Sequence, residues 1–417
     1  MKDNYMKKRW VVVAASCIVN MFIGTAYCWG VFQGGLMAES EKIFGAAVVA
    51  SALAWAFSIN TGIGPITMLC GGTMKKKLGA GGVVKVSAVL CLLGFLVTSM
   101  AKSVPIVWVG FGLIAGFGVG MINGITTTNT GLWFPEMRGT IAGLTTTFFG
   151  LGSVIFPFIL RPWIAKTGIM PCLRVLGIII GVVAFICGFF ISAPPEGWVP
   201  DGFQPPKVGG AMPTTKNYTW KEMLADPRYW LAVVAFMCFS SAGLFVIQSG
   251  TLMSMAIGGL KEGAALVTYT VSFIGIANSG GRLLWGAISD KLGRYKSLML
   301  MAVIVAVSAL LIGHVFSGSY GLFIIFAMLI AACYGGSMGI YPAMTADNFG
   351  PKNNGINYGV MFFGFAAGGF LGPVFFTKLM EASGGSFKMP LTVVAVLGIL
   401  ALILIAALTK LKAGKEA

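Results

Sequence analysis

The chain has 417 residues, of which 57% are hydrophobic and only 10% charged. A soluble domain carries about 25% charged residues, so apolar surface on this scale excludes a soluble globular protein. The net charge of +16 would suit nucleic acid, but the basic residues are split among short loops rather than gathered on one face, which excludes that class too.

Taken in chain order, the N-terminal stretch MKDNYMKKRWVVVAASC is basic and then apolar, as in a signal peptide, and residues 14–17 faintly resemble a lipoprotein cleavage site. The apolar run continues to about Phe32, so the reading is an uncleaved first helix. Twelve spans are predicted near 10–33, 46–71, 82–101, 105–129, 139–160, 172–193, 228–250, 264–289, 297–316, 320–345, 355–377 and 388–410. The longest polar interval, 194–227, is rich in Pro and Gly and reads as a connector. The expected architecture is therefore an all-α polytopic membrane protein with twelve transmembrane helices in two pseudo-symmetric six-helix bundles, 1–193 and 228–417, joined by a cytoplasmic connector at 194–227.

The two halves carry a repeat. GTMKKKLG at 72–79 follows the second span, and GAISDKLGR at 286–294 follows the eighth, 214 residues later. TGLWFPEMRGT after the fourth span pairs with ADNFGPKNNGI after the tenth. Parallel repeats of six helices are one of the transporter plans. With both termini and the connector placed in the cytoplasm, 20 of the 29 Lys and Arg fall inside and eight outside, the bias expected of a multi-pass protein of the plasma (inner) membrane. The one left over is Arg282.

Arg282 precedes Asp290 by eight residues, hence lies about 12 Å deeper along a helix rising 1.5 Å per residue. Half the hydrocarbon core is about 15 Å, so the arginine sits near the midplane. Arginine cannot shed its charge, and burying it there costs at least ~2.5 kcal/mol on insertion scales. All 13 Asp and Glu fall in loops, tails or helix ends. The expectation is that the missing negative charge arrives with the substrate, a carboxylate that accepts two parallel hydrogen bonds from the guanidinium fork. The alternative is that Arg282 snorkels to the interface or is satisfied by backbone carbonyls. A single deep cation favours a monocarboxylate, since a dicarboxylate would leave a second charge unpaired in a low dielectric.

Eight scattered cysteines form no CxxC pair and read as small packing residues, so neither a disulfide framework nor a metal site is expected, and no cofactor.

The stretch GAISDKLGR resembles the loop signature of the major facilitator superfamily, whose fold it implies; the first-half copy departs from it at Lys76, where the signature has Asp. Within that superfamily, Tyr27-Cys-Trp29-Gly-Val-Phe32, Trp133-Phe-Pro-Glu-Met-Arg138-Gly139, Pro194-Pro-Glu-Gly-Trp198, Asn278-Ser-Gly-Gly-Arg282 and Asn357-Tyr358-Gly359 resemble the oxalate/formate antiporter family. The resemblance spans the chain and implies secondary transport of small organic anions by alternating access. Oxalate-handling relatives carry a second cation, a lysine, in the eleventh span. Here that stretch is Phe362-Phe363-Gly364-Phe365, and Asn123 stands where such relatives have a tyrosine. These departures favour lactate, pyruvate, formate or another short monoanion, with an oxalate or other dicarboxylate antiporter as runner-up.

Asn278, one turn before Arg282 on the same helix face, is expected to bond the carboxylate or to fix the arginine. Tyr27, Trp29, Asn123, Thr127, Tyr334, Phe362 and Phe365 are candidates to wall the cavity, with plain helix packing as the alternative for each aromatic. Gly286 lets a neighbouring helix approach. The resemblance implies that Asp290, with Lys291 and Arg294 beside it, holds the cytoplasmic ends of neighbouring helices and releases them in the other state. A proton relay needs an embedded Asp, Glu or His, and none is predicted at depth. The lone His314 lies near the outer end of the ninth span, and Asp347 at the base of the tenth is the one acid that could overturn this. The protein would then exchange anions, run them down their gradient, or take the proton with the substrate. Expected partners are the small anion, a co- or counter-transported proton or anion, and the bilayer; a monomer is expected and no nucleic acid. A membrane enzyme would need clustered His, Cys or acids and is set aside; a non-transporting nutrient sensor is the rival from another class.

Overall fold

The computed structural model describes residues 2–200, 214, 216–261, 265–316 and 318–416. Among the described residues, twelve long helical segments lie where the apolar runs predict them. They are α1 (2–38), α2 (50–78), α3 (80–98), α4 (Val104–Trp133), α5 (Arg138–Thr167), α6 (Ile169–Phe190), α7 (Pro227–Ala256), α8 (Ala265–Leu292), α9 (Arg294–Val315), α10 (Tyr320–Phe349), α11 (354–382) and α12 (Lys388–Glu416). Of the connector, residues 201–213 and 215 lie outside the described residues, as do residues 262–264.

The boundaries have local causes. Gly79 (φ +69°) parts α2 from α3, and Gly293 (φ +97°) parts α8 from α9. A side chain is strained at such angles, so glycine ends each helix at the same place in the repeat. Inside α4 the turn widens to a π-helix over Trp108–Ala115. Asn60 on α2 donates to the Phe111 carbonyl there at 2.8 Å, and Trp108 Nε1 donates to the Ala52 carbonyl at 2.7 Å. A side chain that reaches into a helix ladder is a common cause of such a turn. The N-terminus of α6 is met by Glu39, whose carboxylate accepts from Ile169 N at 2.8 Å. Asp226 caps α7 by accepting from Arg228 N at 2.9 Å.

By its contacts the chain forms two compact units. The first comprises Met1–Pro135, Phe148–Phe203 and Asn353–Val360; the second comprises Glu136–Thr147, Gln204–Lys352 and Met361–Ala417. The core of the first gathers Val19, Phe32, Phe95, Phe111, Ile122 and Leu176 from α1, α3, α4 and α6. In the second, Phe236 of α7 stacks on Tyr341 of α10 with centroids 3.9 Å apart, and Tyr341 Oη donates to the Ala232 carbonyl at 2.9 Å. The described end of the connector is tied to the foot of α10: Thr214 N donates to the Asp347 carbonyl and Tyr218 N to the Phe349 carbonyl. Outward faces carry bare apolar side chains, among them Phe158, Val182 and Ile403. In water such surface would be a liability; in hydrocarbon it is the matching solvent.

Candidate functional site

Arg282 lies on α8 in the second unit and is 8% exposed. Its Nη1 donates to the carbonyl of Thr146 on α5 at 2.9 Å, and its Nη2 to Oδ1 of Asn278 at 3.2 Å. Asn278 is held in that orientation because its own amide donates to the Ala331 carbonyl of α10 at 3.2 Å. The Nε–H of Arg282 is buried without a partner. Both acceptors are neutral, and among the described residues no ion pair includes Arg282. The backbone-carbonyl alternative is thus met in part: a carbonyl takes one N–H, and the positive charge stays uncompensated.

The approach of α5 to α8 around this arginine depends on glycine. A Cβ on Gly143 would meet the Arg282 carbonyl, and one on Gly286 would meet the Gly139 carbonyl. Thr147 Oγ1 adds a hydrogen bond to the Ser279 carbonyl at 2.9 Å. Four residues after Gly286, the Asp290 carboxylate accepts from Gly139 N at 3.0 Å, Thr140 N at 2.6 Å and Thr140 Oγ1 at 2.5 Å. These are the orphan donors of the first turn of α5, so Asp290 caps a helix from a neighbouring one and meets its positive dipole end. Arg294 binds Asp290 and donates from Nη1 to Ser289 Oγ at 2.7 Å and from Nε to Asp347 at 3.0 Å. Asp347 also accepts from Arg138 Nη1 at 2.9 Å. Gly286, Asp290 and Arg294 thereby form one locked cluster, while Lys291 is exposed.

The other predicted site residues fall as follows. In the first unit, Tyr27 is half-buried, edge-on to Phe57 and Phe149 at 5.7 and 5.1 Å. Trp29 is buried in the apolar core against Phe111, with centroids 4.4 Å apart and its indole N–H unpartnered. Asn123 is half-buried and accepts from Thr127 Oγ1 at 3.5 Å. In the second unit, Tyr334 packs over Gly243 of α7, and Phe362 stacks on Phe365 at 4.5 Å with both beside Phe236. Asn278 is the predicted partner that the structure brings to the guanidinium. His314 is near the end of α9, with Nε2 2.8 Å from Thr392 Oγ1.

Sequence reasoning missed Thr146, Arg138 and Thr140. Arg138 and Thr140 do carry a signal, since they close the TGLWFPEMRGT repeat at a helix start where an acid can cap. Thr146 acts through its backbone and carries none.

The sequence profile of the Major Facilitator Superfamily matches residues 10–315 and 276–417. The chain belongs to that superfamily. This facilitator is accordingly a multi-pass membrane transporter. The MFS-type transporter YhjX of Escherichia coli (strain K12) is 27% identical over 88% of this chain and 87% of its own. The oxalate:formate antiporter of Oxalobacter formigenes is 27% identical over 84% of this chain and 80% of its own. Among solved structures, the transporter FucP in the outward conformation has a TM-score of 0.73 at 15% identity, covering 96% of this chain and 99% of its own. The proton:xylose symporter XylE has a TM-score of 0.71 at 13% identity, covering 98% and 96%. At those identities the two structures establish the fold, twelve helices in two six-helix bundles, and nothing finer.

Proposed function

We propose that this facilitator carries a short monocarboxylate of the lactate, pyruvate or formate class by alternating access of residues 1–193 and 228–417 about the connector 194–227. Arg282 is the anchor for the carboxylate. The observation that carries this reading is a buried guanidinium whose bonded partners are both neutral and whose Nε–H has no acceptor. A carboxylate accepting from Nε–H and an adjacent Nη–H would neutralise the charge with the two-pronged geometry that arginine offers. Asn278 holds the fork in place and can itself meet a substrate oxygen.

The same geometry suggests how binding couples to movement. Arg282 ties α8 to α5 through the Thr146 carbonyl, at the glycine contact between those helices. A carboxylate competes for the same guanidinium, so occupancy weakens one tie across that contact. Asp290 and Arg294 hold the neighbouring turn and must let go for that end to open, the end that the loop-charge bias favours as cytoplasmic. Asp347 is committed to two arginines, which supports transport without an internal proton relay.

Oxalate or another dicarboxylate is the second reading, favoured by the likeness to the oxalate:formate antiporter. One deep cation argues against it. The test is counterflow in proteoliposomes with labelled formate, lactate, pyruvate and oxalate. Exchange of the monoanions above oxalate supports the reading; exclusive exchange of oxalate replaces it with the second. Absence of exchange for every short carboxylate rejects both.

A further inference from the structure

Away from Arg282, the first unit holds a cavity of about 350 Å³ at the turn between α2 and α3. Among the described residues its lining includes Lys75, Lys85, residues 79–82, Phe189 and Ser192, and no carboxylate. Lys75 Nζ spends one N–H on Asn129 Oδ1 at 2.9 Å, and Lys85 Nζ lies 3.7 Å from the centroid of the Phe189 ring. Among the described residues neither lysine is in an ion pair. Two cations therefore share one cavity, and no acid among the described residues lines it.

Three further features point the same way. Ser192 is anchored because its carbonyl accepts from Asn129 Nδ2 at 3.0 Å and Trp133 Nε1 at 2.6 Å, yet its Oγ is buried without a partner. The first backbone N–H groups of α3, at residues 80–82, border the cavity just after the turn at Gly79, and a helix start is positive. The rim is apolar and exposed: Phe189 is 64% exposed and Leu78 49%. A positive pocket with a free hydroxyl and a greasy lip suits a phosphate that carries acyl chains.

We propose that this cavity binds the phosphate headgroup of an anionic phospholipid, with the chains passing over Phe189 and Leu78. Basic pockets between helices on the cytoplasmic side are where such headgroups bind. A choline or ethanolamine headgroup would set its own cation against Lys75 and Lys85 and is disfavoured. The lipid brings negative charge to the copy of the loop in which Lys76 replaces the acid of the second copy. The cytoplasmic leaflet follows from the proposed orientation, but the site does not depend on the transported anion.

The test uses the full chain in nanodiscs of phosphatidylcholine alone or with one quarter phosphatidylglycerol, followed by native mass spectrometry of the extracted protein. Retention of phosphatidylglycerol at least tenfold above phosphatidylcholine is expected, lost in Lys75→Gln/Lys85→Gln and kept in Lys75→Arg/Lys85→Arg and in Lys291→Gln/Lys296→Gln. Equal retention by the Gln pair overturns the proposal. Should that pair fail to fold, acylation of the wild-type lysines decides: phosphatidylglycerol should slow labelling of Lys75 and Lys85 at least fivefold, and equal labelling in both lipids overturns it. Inorganic phosphate at 20 mM should not displace the lipid; displacement with equal protection of the two lysines would make this a free-phosphate site and reject the lipid. None of these readouts measures transport, so failure here and failure of the monocarboxylate reading are distinguishable.

Discussion

The guanidinium of Arg282 gives one N–H to the Thr146 carbonyl, one to Asn278, and keeps a buried Nε–H unspent. Arg282→Lys preserves the charge but loses the planar fork. Hydrogen bonds to charged groups are worth about 1.5–3 kcal/mol, so loss of one prong should weaken binding of a monocarboxylate by roughly 10–150-fold in a thermal-shift titration. Wild-type affinity in the Lys variant would mean that the fork does not matter. Asn278→Ala removes the acceptor that orients the fork and should raise KM about tenfold or more, by the loss of roughly one such bond, while leaving the maximal rate within a factor of two; an unchanged KM would reduce Asn278 to helix packing. Arg282 was legible because a charge in an apolar run stands out and its helix gives its depth. Thr146 was not, because every residue has a carbonyl, and only the lateral register of α5 against α8 selects this one. Trp29 shows the same limit: its place in the first span made it a candidate for the cavity wall with helix packing as the alternative, and which neighbour it meets is decided by packing, here Phe111 in the core.

At the scale of elements, α5 and α8 meet through glycine contacts and a carboxylate that caps a helix it does not belong to. Asp290→Asn weakens bonds to Gly139, Thr140 and Arg294 together. Removing one partner of a buried ion pair costs about 3–5 kcal/mol, so the variant should lose thermal stability and expose Arg138 to arginine-directed labelling by a dicarbonyl. Unchanged labelling would deny Asp290 a gating role. Gly286→Leu drives a side chain into the Gly139 carbonyl; overpacking costs about 1–3 kcal/mol, and transport should fall with substrate binding retained. Binding and transport falling in proportion would instead point to misfolding. The helices themselves were legible as apolar runs, and the Gly79 and Gly293 breaks as the end of a repeated motif. The bond between Arg138 and Asp347 was not, since the two are 209 positions apart, and Arg138 read as a loop charge while Asp347 was singled out as an acid at the base of the tenth span with no partner named.

At the scale of the whole molecule, the two copies of the loop motif are unequal. Gly72 meets Gly355 and Ile356 within the first unit, as Gly286 meets Gly139 within the second, but Lys76 stands at the register of Asp290. Lys76→Asp should set a carboxylate against the start of α11, as Asp290 is set against the start of α5, and slow exchange; faster exchange would contradict that correspondence. With Asp347 held by two arginines and His314 bonded to Thr392, a pH gradient should not drive accumulation of the anion. Uptake driven strongly by such a gradient and abolished in Asp347→Asn would reverse that view. The central claim is that Arg282 holds the substrate carboxylate. Its most direct test is counterflow of labelled lactate, pyruvate or formate in proteoliposomes containing the wild type or Arg282→Gln. Exchange should be present in the wild type and absent in a folded Arg282→Gln variant; exchange at the wild-type rate in that variant would contradict the claim.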